Sequence, residues 1–404
     1  MSGFRLRHAA VLALGLMTST AMAQSPTMSI KIGVLSDMSS LYADTSGPGS
    51  IVAARLAVED YNAAAKGLKV EVVGGDHQNK ADVGASIVRQ WYDQDGVDVI
   101  VDVPNSAVAL AVGDISRDKN KIMLNSGAGT SDLTGPKCSP NTIHWSYDTW
   151  MLANGTGKAI VKQGGDSWYF MTADYAFGHS LERDTMAVVN KEGGKVLGNV
   201  RVPINTQDFS SFLLQAQSSK AKVIGLANAG GDFTNSVKQA AEFGITRGGQ
   251  KLAGLLVDIS DVHALGLQTA QGLTYTESWY WDMSEDSRNF AKRFAAQNGG
   301  KYPGKIHAGV YSSVIHYLKA VEALKAKTDG AAIVKKMKEL PTDDKLFGKG
   351  EVRADGRKTH PVYLVEIKAP ADSKYPYDYY KIMATIPANE AFRPIKDGNC
   401  SLVN

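Results

Sequence analysis

The feature that most constrains this chain is an alternation of short β-rich runs with longer stretches of helical period. The runs are 30–35 then 50–65, 69–74 then 82–94, 98–103 then 106–119, and 121–125. Strands separated by helix-length crossovers run parallel, so the pattern predicts an α/β sheet with helices on both faces. In the first predicted helix Ala53, Leu56, Ala57, Tyr61 and Ala64 form an inward stripe, with Arg55 and Glu59 four apart on the wet side. A second set follows Tyr147: helix 149–162, strand 167–171, helix 177–191, strand 195–200, helix 209–218, strand 221–226, helix 233–243 and strand 251–255. Two such sets make two doubly wound parallel-sheet lobes. Helical 287–298 and 309–326, then β-like 361–367 and 377–386, read as returns to the first lobe and then the second. Periodicity alone does not establish those crossings.

The N-terminus reads as an export signal over residues 1–23. Arg5 and Arg7 are its basic region, 9–17 is an apolar core too short to span a bilayer, and Ala21-Met22-Ala23 is a small-x-small cleavage site. Cleavage after Ala23 leaves Gln24 first in a periplasmic protein of roughly 380 residues, room for two ordinary domains. No cysteine at the cleavage point supplies a lipid anchor, and no later run of about 18 apolar residues embeds the chain in a membrane. The net charge of +3 falls to about +1 without the leader, which disfavours nucleic acid as a partner. Cys138 and Cys400 are the two cysteines. In an oxidising compartment an even pair is expected to be bridged; the alternative is two unrelated thiols.

Ligands of parallel α/β sheets sit beyond the carboxyl ends of the strands, where helix N-termini offer free N–H groups. Past the first strand, the polar loop 36–47 carries one ring, Tyr42, able to close over a ligand or simply to pack in a solvated connector. Past the third comes Pro104-Asn105-Ser106; Asn105 or Ser106 would cap the next helix with or without a ligand. Past the fourth, the small residues Gly127, Ala128 and Gly129, with Thr130, allow close approach to backbone N–H groups and suit a carboxylate, or else form a bare helix-start turn. They are a poor phosphate site: no G-x-x-x-x-G-K-[ST] follows, and 154–158 only mimics one. In the second lobe the strand ends carry Tyr175 and Phe177, and then Asn228. Trp279, Tyr280 and Trp281 form an aromatic cluster of the kind that is more often packing than a cage. There is no H-E-x-x-H, no G-x-S-x-G elbow and no strand-following G-x-G-x-x-G, and the eight histidines lack metal-ligand spacing. No metal, cofactor or catalytic residue is expected. Triads assemble in space, so this weighs against an enzyme without closing the question.

The strings KIGVLSDMSSLYADTSGPGSIVAARLAVEDYN, KIMLNSGAGTSDLTG, TADYAFGHSLERDT and AKVIGLANAGGDFTNSVKQAAEFG resemble the periplasmic solute-binding proteins of branched-chain amino acid type ABC transporters. The resemblance runs over nearly the whole chain after the leader. It implies a type I periplasmic binding fold: two lobes joined by a three-strand hinge, closing around a small molecule, with a membrane permease as partner. The parts are then 24–148 and 276–342 in the first lobe, and 149–275 and 343–404 in the second, the last including a C-terminal tail. Carried over by motif, a carboxylate-binding serine falls at Asn105, a departure; the cradle falls on Gly127, Ala128 and Gly129; the second-lobe ring falls at Phe177 with Tyr175 near it; another contact falls near Asn228 and Ala229; and the first-lobe tyrosine is Tyr42. The glutamate that holds a ligand ammonium in amino-acid binders is missing from 254–257, leaving Asp258 as the only acid nearby. An unpaired buried ammonium costs several kcal/mol. The expected ligand is therefore a small organic carboxylate with an apolar or aromatic body; the alternatives are an amino acid or amide with Asp258 as ammonium partner, or a secreted enzyme on a similar fold.

Overall fold

Strands whose two faces are both covered by helices need apolar residues at every position, and the centre of the first sheet has them. Its strands are β1 (Met28–Ser36), β2 (Leu68–Asp76), β3 (Val99–Asp102), β4 (Ile122–Asn125) and β5 (Thr142–His144), all parallel in the order β2-β1-β3-β4-β5. Val99, Ile100, Val101, Ile122, Met123 and Leu124 are wholly buried. The structure, a computed structural model, describes residue 1 and residues 27–403. The leader and its cleavage site lie outside the described residues.

Helix 47–60 buries Ala53, Leu56 and Ala57 against this sheet. Ala64, expected on the same stripe, is exposed, because the helix ends at Asp60 and Asn62 turns left-handed at φ 54°. The second sheet comprises β6 (Ser167–Ala173), β7 (Lys195–Val202), β8 (Val223–Ala227) and β9 (Lys251–Gly254), parallel in the order β7-β6-β8-β9. The two α/β lobes match the fold class expected from the sequence.

Beyond β9 the alternation stops. β10 (Thr274–Glu277) precedes helices 285–297, 305–324 and 330–339, of which the first two pack on helix 47–60 and the third on β4. A small antiparallel sheet of β11 (Thr342–Asp344), β12 (Gly348–Val352) and β13 (Lys358–Thr359) comes next, and Arg357 bridges to His144 at the edge of the first sheet. β14 (Val362–Ile367) then lies between β10 and β15 (Tyr380–Ile386), antiparallel to both. The chain crosses between lobes after β5, after β10 and between β13 and β14. Arg357, fully buried, donates to the carbonyls of Tyr147 (2.8 Å) and Trp145 (3.0 Å), tying the first crossing to the third. Trp279, Tyr280 and Trp281 pack the second: the indole of Trp281 and the hydroxyl of Tyr280 both donate to the Tyr377 carbonyl. Cys138 and Cys400 are joined in a disulfide with their Cα atoms 5.6 Å apart.

Candidate ligand cleft between the lobes

The C-terminal strand ends of the two sheets face each other across a narrow cleft. From the first lobe Tyr42, Pro104, Gly127 and Tyr147 line it; from the second, Tyr175, Phe177, Ala229, Gly230, Leu256 and Asp258; and Lys305 with Ile306 come from the start of helix 305–324. Asp37 shapes the first wall. Its carboxylate accepts from the amides of Ser40 (3.0 Å) and Tyr42 (2.8 Å), folding the loop after β1 back on itself. The hydroxyls of Tyr42 and Tyr175 then share a hydrogen bond of 2.6 Å across the lobes. Burial holds both phenols well above their ordinary pKa, so both are neutral.

The loop after β4 approaches the cleft because its glycines have no side chain. A Cβ on Gly127 would lie 2.7 Å from both Asp102 Oδ1 and Pro104 Cα, and one on Gly129 would lie 2.8 Å from the Phe177 ring of the opposite lobe. The Gly127 carbonyl accepts from the Tyr147 hydroxyl (2.5 Å), and that of Ala128 is bonded to His144 Nε2 (2.7 Å). Ser106 accepts from the Thr130 amide (3.2 Å), while the Thr130 hydroxyl pairs with Ser180 of the second lobe (2.7 Å). The buried amides of Ala128 and Gly129 donate to no acceptor among the described residues. Buried N–H groups without a partner are rare in proteins.

Other sequence-expected residues stand apart from the cleft wall. Asn105 caps helix 106–118, its Oδ1 accepting from Ala107 (2.9 Å) and Val108 (3.2 Å). Asn228 spends its amide on the Asp232 carbonyl and Ser236 (both 3.3 Å), and its neighbours Ala229 and Gly230 line the cleft instead.

Asp258 caps helix 259–265 through Oδ1 and forms a reciprocal capping box with Asp261. Its Oδ2 is buried, makes no hydrogen bond, and lies 3.7 Å from Lys305 Nζ. Lys305, 1% exposed, donates to Glu277 Oε2 (3.0 Å) and the Val257 carbonyl (2.8 Å). Burial pulls the Lys305 ammonium down, but Glu277 and Asp258 outweigh that and keep it charged. One ammonium cannot neutralise three buried carboxyls, so Asp261, deeply buried beside Asp258, is pushed up to about 7. Sequence reasoning missed Lys305, Ile306 and Tyr147. A signal existed for the first: a lysine opening a helix opposes the macrodipole and so needs some other reason to be there.

Beneath Gly127, β3 ends in backbone strain. Asp102 has φ 80° and Val103 φ 55°, unusual for non-glycine residues and most so for a β-branched one. The Asp102 carboxylate is wholly buried, accepts from Ser46 (2.8 Å), and pairs with no cation among the described residues. Burial raises it to about 6, against which its serine hydrogen bonds work. Because its folded value lies above the unfolded one, the stability it contributes is full below pH about 4 and is lost as pH rises through about 6. Urea midpoints measured from pH 4 to 7 are expected to fall for the native protein relative to Asp102→Asn over that window; parallel curves would refute the assignment.

Two α/β lobes with facing strand tips define a bilobed small-molecule binding protein. Comparison with known proteins makes this specific: residues 29–374 match the family model described as periplasmic binding protein, and the chain belongs to that family. It is similar to a periplasmic binding protein from Burkholderia mallei (51% identity, 93% of this chain and 99% of that one, TM-score 0.90). A branched chain amino acid ABC transporter periplasmic ligand-binding protein from Burkholderia xenovorans LB400 is 39% identical (92% and 99% covered, TM-score 0.81). The Leu/Ile/Val-binding protein homolog 6 of Brucella melitensis is 25% identical over 302 residues (72% of this chain and 75% of that one). The protein is thus a periplasmic binding protein of the ABC transporter type. No described helix is long and apolar enough to cross a membrane.

Proposed function

We propose that this protein captures a small organic carboxylate with an apolar or aromatic body and delivers it, lobes closed, to a membrane permease. One observation carries the reading: the cleft is walled by four rings (Tyr42, Tyr147, Tyr175, Phe177) and by Gly127, and the next two residues, Ala128 and Gly129, have amides with no acceptor among the described residues. Backbone N–H groups suit a carboxylate, and rings cover an apolar body. Closure follows because each lobe supplies part of the contacts, so the guest binds the closed state better than the open one. In this reading Thr130 and Ser106 hold the cradle, while Asn105 and Asn228 support it from behind. The signal peptide at 1–23 would deliver the chain to the periplasm. Support by fold alone comes from an R. palustris solute-binding protein in complex with benzoate, 20% identical.

A second reading has its own observation. Asp258 Oδ2 lies in the cleft wall without a hydrogen bond, and a ligand ammonium would satisfy it, making the guest an amino acid. Thermal-shift screening separates the two, since a ligand raises the melting temperature in proportion to its affinity for the folded state. The proposal expects stabilisation by benzoate or 4-hydroxybenzoate and none by leucine or valine. Stabilisation by leucine that disappears in Asp258→Asn would overturn it in favour of the second reading.

A further inference from the structure

We infer that the C-terminal segment 387–403 is a strap across the hinge, and that the Cys138 to Cys400 disulfide keeps it docked and so limits how readily the lobes open. The segment leaves β15 on the side of the second lobe, where the Glu390 carbonyl accepts from Asn154 Nδ2 (2.7 Å). Three residues later it belongs to the first lobe: Arg393 donates to the Ser131 carbonyl (3.0 Å), and its own carbonyl accepts from Arg353 (2.8 Å). Three residues span at most about 10 Å, so the strap has little slack while both anchors hold. Between them Ala391 and Phe392 are buried. The Phe392 ring lies 4.4 Å from the Arg357 guanidinium and 5.4 Å from the His360 ring, which places it on the third crossing. Arg357 is the side chain that ties this crossing to the first. The strap is therefore a fourth connection between the lobes, packed on the third through Phe392.

Its first-lobe anchor also senses closure. Ser131, whose carbonyl takes Arg393, donates its hydroxyl to Asp184 of the second lobe (2.7 Å). Opening that pulls Ser131 from Asp184 therefore also works on the strap. A few hydrogen bonds like those of Arg393 are a weak hold on a chain terminus, and termini held by so little fray. A covalent bond seven residues further on shortens the tether, raises the effective concentration of the segment at its anchor and so keeps the anchor occupied. The bond lies away from the cleft, so it tunes opening without touching the ligand.

The test compares the oxidised protein with the Cys138→Ser/Cys400→Ser double variant and with the native chain reduced by dithiothreitol, all ligand-free, which makes the result independent of what the cleft binds. The expected outcome is an unchanged far-UV circular dichroism spectrum, a larger radius of gyration by X-ray scattering, and amide exchange in 387–403 faster by about tenfold or more. Superimposable scattering curves with unchanged exchange would overturn the proposal. So would loss of the native spectrum on reduction, which would make the bond a staple for the whole fold; should the double variant not fold, the reduced native chain decides.

Discussion

Lys305→Met is expected to lower the stability of the folded protein by about 3–5 kcal/mol, the usual cost of removing one partner of a buried ion pair. Methionine keeps most of the apolar stem but leaves Glu277 and the Val257 carbonyl without their donor, and leaves Asp258 without its neighbouring cation. The loss should depend on pH. Glu277 is held up to about 7 by burial even with Lys305 opposing, so without the ammonium its folded pKa rises further above the unfolded one. A protonated Glu277 relieves the variant at low pH, and stability is lost as pH rises through that folded value. Urea unfolding at pH 6 and pH 8 should therefore show the larger loss at pH 8, and Glu277→Gln in the same background should recover part of it. A loss under about 1 kcal/mol at both pH values, as for a solvated pair, would show that this cluster is wetter than its burial implies.

The same cluster shows where reading the sequence stops. The two parallel sheets were legible because their information is local: apolar runs such as 99–101 and 122–124 fill both sides of a strand, and helix-period stretches separate them. In the third region β14 and β15 were legible as β-like runs, but their pairing was not. β10 and β14 pair antiparallel over a separation of about 90 residues of chain, which no local period records, and β11 to β13 are short and polar. Helix 305–324 starts four residues before the expected Gly309, and the missed turn contains both Lys305 and Ile306. The candidate cradle at Gly127 to Thr130 and the rings at Tyr42, Tyr175 and Phe177 stood out because they follow strands directly. Asn105 and Asn228 share that placement, yet Asn105 caps the helix that follows, the competing use named for it at the outset, and Asn228 donates to the Asp232 carbonyl and Ser236 within helix 230–242. Tyr147 reaches Gly127 from the hinge rather than from a strand end, so position along the chain could not mark it.

Gly129→Leu is expected to weaken ligand binding by roughly 1–3 kcal/mol, about fivefold to 150-fold, while changing unfolding of the ligand-free protein much less. The reason lies in which lobe each atom belongs to. Gly129 follows β4 in the first lobe, and the ring its Cβ would meet at 2.8 Å is Phe177, which opens helix 176–191 in the second. With the lobes apart only the Tyr147 ring, 3.1 Å from the new Cβ, has to give, so the open form bears the smaller cost. With the lobes together the side chain must also displace Phe177. The penalty thus falls mainly on the closed state, which is what distinguishes a block to closure from damage to the fold. Isothermal titration with whichever acid raises the melting temperature, alongside urea unfolding without it, measures both terms. Phe177→Ala in the same chain should restore part of the affinity by removing the obstacle. If Gly129→Leu instead binds like the native protein, the two lobes do not meet at this point in the bound state, and the cleft described between the strand tips is not the place where the guest is held.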